Sequence, residues 1–324
     1  SFLFNKNKIY MVRGYENGQA EGGTTGLSET TGIILPSNTV TDLCNSTVKI
    51  ITNNRQNYNA FTIKECENVI LKNGKIIGDV ANHINNGGQW GYGVSIRYGK
   101  NIKLENLYCS LCWGDGINIT IVPSHTLLND NIIIDNCTCY DNRRQGMSIE
   151  NGKNITVLNS KFNKTGYTAH TNPASGVDIE PVIGYDVCKN IYFENCNFND
   201  NYNDGITMGN DIEYITLKNC KFIGNKGTTS QSHCDIINGR KITFDNCYFG
   251  DENTRFGFFN IQPSGDVLFT NNTFYDGKYL CSSNFLNNGV IKFINNKFYR
   301  MTSTTDYNGM IETYTSDDST QNDN

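Results

Sequence analysis

Carboxylates recur in this sequence at positions where a proton-transfer site could form. Five short segments each join a turn glycine to an alternating strand: Gly91–Arg97 (GYGVSIR), Gly114–Thr120 (GDGINIT), Arg144–Glu150 (RQGMSIE), Ala174–Glu180 (ASGVDIE) and Asn203–Gly209 (NDGITMG). Their glycines, at 93, 116, 146, 176 and 205, are spaced by 23, 30, 30 and 29 residues. Side chains alternate across a strand, so apolar pairs such as Val177 and Ile179 point inward and the residues between them outward. One outward column reads Ser95, Asn118, Ser148, Asp178, Thr207, and a second Arg97, Thr120, Glu150, Glu180, Gly209. A third, at the mouth of the turn, reads Tyr92, Asp115, Gln145, Ser175, Asp204. If the segments stack about 4.8 Å apart, Glu150 and Glu180 become vertical neighbours. Asp178 and Glu180 then share a strand face, with Asp115 and Asp204 flanking them.

Like charges opposed on neighbouring strands destabilise a sheet, so such stacking points to function. Two carboxyls beside a glycosidic bond can divide the work, because crowding raises one pKa and leaves an acid next to a base or nucleophile. Asp178 and Glu180 are the expected pair, with Glu150 and Asp115 next. Carboxyl separations of ~5–5.5 Å suit retention and ~6.5–9.5 Å inversion, and residue spacing alone does not choose between them. Arg144 offers a planar fork of donors to sugar oxygens, and Gln145, Asp204 and Arg97 are expected to line the same surface. Trp90 and Trp113, the two tryptophans, precede the glycine in adjacent repeats and could stack on sugar rings. The alternatives are a solvated acidic face and tryptophans that plug the turn. His83 and His170 fall in longer turns and are expected to be solvated.

The same residues also offer ligands to a metal. No cofactor is required, but Asp178, Glu180 and Glu150 present hard oxygens that suit Ca²⁺. Cys109–Cys112 and Cys137–Cys139 could hold zinc. Cys137, however, belongs to an inward series of small residues, and buried thiols pack as small hydrophobes. These thiols are therefore expected to pack in the core rather than bind zinc.

The elements that position these groups follow from a second repeat. Segments such as Asn131–Thr138 (NIIIDNCT), Asn190–Asn197 (NIYFENCN) and Lys241–Tyr248 (KITFDNCY) are short alternating strands ending in asparagine. The asparagines stand at 73, 106, 136, 159, 195, 219, 246, 272 and 296. Asparagine tolerates the left-handed backbone and bonds locally, so it suits a sharp bend between strands. The residues after the bend, Cys137, Ser160, Cys196, Cys220, Cys247 and Thr273, are small and should line a narrow interior. The expected fold is all-β: a parallel solenoid of about ten coils with the asparagines in a vertical ladder.

This pattern, from about Val48 to Thr315, resembles the right-handed parallel β-helix of the pectin-lyase-like superfamily. The entry through Gly32–Asn38 (GIILPSN) into Val48–Ile51 (VKII) resembles that of bacteriophage tailspikes and prophage glycan depolymerases. The resemblance implies hydrolysis of a bacterial surface polysaccharide, a homotrimer, and a virion-tail or extracellular location. A non-catalytic glycan receptor-binding spike, a structural or adhesive solenoid and a Ca²⁺-dependent lyase with an arginine base stay open. The paired-Asp and His-Gly motifs of polygalacturonases are missing, which weakens any transfer of residue roles. The expected organisation is an N-terminal cap at 1–47, the helix at 48–315 and a polar tail at 316–324.

Composition closes off other classes. Across 324 residues, Lys+Arg 27 against Asp+Glu 32 gives −5, whereas nucleic-acid binding needs clustered cations. No apolar run approaches the ~20 residues of a membrane helix, and residues 1–20 lack a signal peptide's order. Twelve cysteines are too sparse for a disulfide-stapled small fold.

Overall fold

The computed structural model describes residues 1–14, 32–84, 87–120, 127–181, 187–209, 211–227, 233–237, 239–250, 258–261, 265–276, 281–283 and 290–300. It is a right-handed parallel β-helix. One coil shows the pattern: Asp130–Asp135 forms the first face, Thr138–Tyr140 the second and Gln145–Ile149 the third. Each strand pairs in parallel with its counterparts one coil away; Ile132, for example, sits between Ile102 and Ile155. The third face is a stack of ten strands, matching the expected number of coils. The one helical element among the described residues is the single turn Val80–Asn82.

The bends are made as the asparagines imply. Asn73, Asn106, Asn136, Asn159, Asn195, Asn219 and Asn246 all have left-handed backbones, with φ of 50–59°. Their amides form a ladder: Asn106 donates to Asn73 at 2.9 Å, Asn136 to Asn106 at 2.7 Å and Asn246 to Asn219 at 2.7 Å. Asn159 instead donates to Asp135 at 3.0 Å. A second ladder lies five residues upstream, also left-handed: Asn131 donates to Asn101 and Asn101 to Asn68, while Asn190 donates to Asn154 and Asn154 to Asp130.

The last two coils correct the expected register. The bend residues there are Asn271 and Asn295, not Asn272 and Asn296. Asn272 is buried in the position of the inward small residues, and Thr273 points outward. The reason is chemical. An inward amide accepts the otherwise unpaired N–H of the coil above, so Cys247 N donates to Asn272 Oδ1 at 2.7 Å and Asn272 N to Asn296 Oδ1 at 2.8 Å.

Inside, Cys137, Cys196, Cys220 and Cys247 are buried free thiols. Cys109, Cys112 and Cys139 are likewise buried and free, which is packing as expected. Beneath the second face, Phe162, Phe198, Phe222, Phe249, Phe274 and Phe298 form a continuous ring stack, with centroids 4.7–5.6 Å apart. The boundary drawn at residue 47 falls inside the strand Thr39–Ile50, which pairs in parallel with Glu67–Ile77 on one side. Phe2–Leu3 and Ile9–Val12 add a partial rung on its other side. Coils therefore begin before residue 48, and we propose a capping role for residues 2–12. The tail at 316–324 lies outside the described residues.

Candidate active site

The expected columns are real. On the third face Asp115 pairs with Gln145, and Ser148 with Asn118 on one side and Asp178 on the other. Asp178 in turn pairs with Thr207. Ile149 and Ile179 are partners, which makes Glu150 and Glu180 vertical neighbours. Alternation puts Met147, Ile149, Val177 and Ile179 into the core, leaving the polar residues between them to point off the sheet.

Exposure, by contrast, departs from the expectation of an open acidic groove. Asp115 is fully buried and Asp178 only 2% exposed, Glu150 is half-buried, and the Glu180 side chain is 61% exposed. Hydrogen bonds explain how buried acids are tolerated. Ser148 Oγ donates to Asp115 Oδ2 at 2.6 Å and accepts from Asn118 Nδ2 at 2.8 Å. Asn118 Nδ2 also reaches Glu150 Oε1 at 3.1 Å, and Thr120 Oγ1 donates to Glu150 Oε2. Arg144 spans the group, with Nη1 3.3 Å from Asp115 Oδ2 and Nη2 4.0 Å from Glu180 Oε2.

Burial pushes the Asp115 carboxyl up to about 6, although Arg144 and Ser148 pull the other way. Burial also lifts Asp178 well above the usual carboxylate range; Arg144 opposes this, while Glu180, Asp115 and Glu150 add to it. Arg144 pays for desolvation, yet the surrounding Asp115, Tyr92, Asp178 and Glu150 hold its charge more firmly than usual. A carboxyl lifted above its usual range therefore stands two residues from an exposed one.

The raised Asp115 value has a consequence for stability. The folded state holds this proton more tightly than the unfolded chain, so the contribution is full below pH 3.8 and is lost as pH rises through about 6. A shift of about two pKa units corresponds to about 3 kcal/mol. Denaturant melts between pH 4 and 7 should show wild type losing stability relative to Asp115→Asn by roughly that amount. Parallel pH curves for the two proteins would contradict this account.

Several expected sugar-contacting residues lie elsewhere. Gln145 is buried and locked: its Oε1 accepts from Ser175 N at 3.0 Å and its Nε2 donates to Asp178 Oδ2 at 2.7 Å. It therefore positions the acid. Arg97 is 1% exposed with Nε on Ser95 Oγ at 3.1 Å, and Asp204 is 1% exposed with Thr207 Oγ1 at 3.4 Å. Trp113 is a plug. His83 stacks on its ring at 3.8 Å, the Arg143 guanidinium lies 3.7 Å from the ring centroid, and its Nε1 donates to Gly87 O at 3.1 Å. His83 is thus packed, not solvated: its Nδ1 lies 2.9 Å from Asp79 Oδ2. His170 is exposed and stacks on Tyr202 at 3.8 Å. Trp90 remains half-buried at the start of its strand.

The calcium reading does not fit. Asp178 Oδ2 is engaged by Gln145, both Glu150 oxygens accept side-chain hydrogen bonds, and the Arg144 cation stands beside Glu180. Among the described residues no cluster of three or more His, Cys, Asp or Glu could hold a metal.

One acid escaped sequence reasoning. Asp235 pairs with Thr207 and Asn260, extending the column of Asp178, and burial raises it to about 6. Its strand lacks the preceding glycine, whose place His233 takes. The steps from 178 to 207 to 235 were the signal available.

A family model described as a right handed beta helix region matches residues 4–181 and 182–324. Two curated proteins of Bacillus subtilis (strain 168) are similar over part of the chain. The uncharacterized protein YclG is 28% identical over 55% of this chain, and the SPbeta prophage-derived uncharacterized protein YorA is 26% identical over 54%. The chain spans about a third of the length of these relatives, 33% of each. Among solved structures, ORF18 of Geobacillus virus E2 matches with TM-score 0.62 and 16% identity, over 83% of this chain and 51% of that one. The tailspike gp49 of Acinetobacter baumannii bacteriophage Fri1, a capsular polysaccharide depolymerase, matches with TM-score 0.56 and 17% identity, over 84% and 55% respectively. At these identities the structures share the fold.

Proposed function

The chain belongs to the right-handed β-helix family, and on that premise we propose that it is a polysaccharide depolymerase acting by hydrolysis on its third face. The observation that carries the reading is Asp178: a nearly buried carboxyl, lifted by burial well above the usual carboxylate range, beside the exposed Glu180. In this reading Asp178 protonates the leaving glycosidic oxygen, while Glu180 activates water or attacks the sugar, with Glu150 as the neighbouring carboxyl. Alternate residues on a strand lie about 6.5–7 Å apart, room enough for a water between the carboxyls. Arg144 keeps Glu180 oriented and offsets the charge of Asp115. A prophage-derived relative and the similar fold of a phage tailspike support a virion-tail or extracellular setting and a bacterial surface polysaccharide as substrate; with the tailspike resemblance we also propose a homotrimeric assembly.

The direct test incubates the protein with a panel of capsular and wall polysaccharides, following both reducing ends and absorbance from unsaturated uronides. New reducing ends without that absorbance are expected. Absorbance at matching yield would make the protein a lyase. Glycan binding with neither signal would leave a receptor-binding spike.

A further inference from the structure

The three faces of the rod differ in charge. On the first, carboxylates and lysines interleave and pair, as in Lys103–Glu105 at 2.7 Å, Lys189–Glu213 at 3.1 Å and Lys153–Asp130 at 3.6 Å. The third buries Asp115 and Asp178 and leaves Glu180 exposed. The second is unlike either. Its first outward column runs from Lys75 to Lys297, one residue per coil, through Tyr108, Lys161, Lys221 and Tyr248. Its second carries Tyr140, Tyr275 and Tyr299. Among the described residues neither column contains a carboxylate, although the whole chain is −5. The four lysines are exposed and form no ion pair among the described residues.

The rim of this face continues the pattern. Lys164 lies 5.8 Å from the Tyr140 ring and 5.4 Å from that of Tyr167, which is 71% exposed. Two of the bordering acids are engaged, Asp141 by Thr168 N at 2.8 Å and Asp276 by Arg300, while Asp200 is exposed.

We infer that the second face binds an anionic polysaccharide lying along the rod axis. Tyrosines offer flat area with a polar edge to sugar rings, and lysines offer point charges to carboxylate or phosphate groups. A pyranose unit is about as long as one coil is tall. The register puts the lysines two or three coils apart, about 10–14 Å, which matches a chain with one acidic group every two or three sugars. Nucleic acid fits poorly, because its phosphates follow one another every ~3.4 Å along a strand and need denser cations. The surface is separate from the carboxylate face and does not depend on cleavage there.

The test measures binding to immobilised hyaluronan, which carries one carboxylate per two sugars, with dextran as neutral control and oligo(dT) as polyanion control. Glu180→Gln serves as background, so that cleavage and binding are read separately. Binding to hyaluronan that weakens with salt, and that falls about ten-fold or more in a Lys161→Glu/Lys221→Glu/Lys297→Glu variant with an unchanged melting curve, is expected. Undiminished binding by the triple variant, equal retention on dextran, or tighter binding to oligo(dT) would each overturn the inference. Absence of any cleaved polysaccharide in the panel assay would leave it intact.

Discussion

Asp178→Asn should cut turnover on a cleaved polysaccharide by roughly 10²–10⁴-fold, the usual contribution of a general acid or base. The amide keeps the shape of the side chain. It also keeps the contact with Gln145, because Gln145 donates through Nε2 and an asparagine carbonyl oxygen accepts as Oδ2 does. What is lost is the titrating carboxyl, whose affinity for its proton burial raises. Stability should be unchanged or higher, since an acid crowded by Glu180, Asp115 and Glu150 becomes neutral at every pH. Glu180→Gln should cause a loss of similar size. Wild-type rates in both variants would place the chemistry away from this pair.

Arg144→Met should destabilise the fold by about 3–5 kcal/mol, as expected when one partner of a buried ion pair is removed. The side chain is 11% exposed, and its partner Asp115 is fully enclosed. Without the guanidinium, Asp115 loses the strongest influence opposing its desolvation and must fold protonated. The loss should therefore be larger at pH 8 than at pH 5. Adding Asp115→Asn removes the orphaned charge, so the double variant should recover much of the stability, and the coupling can be read from a double-mutant cycle. Additive losses that do not vary with pH would mean that Arg144 acts through packing alone.

The coil architecture was legible because it is written in local chemistry. Left-handed asparagines and alternating strands are properties of single segments, and they repeat. The outward columns were legible for the same reason, since strand alternation and a coil period fix which residues meet. The error at Asn272 shows the limit: in a doubled asparagine either residue can make the bend, and the choice depends on a backbone N–H in the coil above. Solvent access was not legible either. Whether Gln145 faces a sugar or Asp178, and whether Trp113 is open or clasped by His83 and Arg143, depends on turns of irregular length. Asp235 was missed because the glycine marker is dispensable to the column it announces.

The bends along the first ladder lie 33, 30, 23, 36, 24 and 27 residues apart between Asn73 and Asn246, yet the strand pairing stays in step. All the variation is absorbed in the turns. Each coil touches only its neighbours, so the natural unit of change in this lineage is the whole coil or the turn. A duplicated or lost coil hands its neighbours a surface they already fit, whereas one residue gained within a strand reverses every side chain beyond it. The rod can then be lengthened by copying, while the turns diversify without asking the interior to adjust.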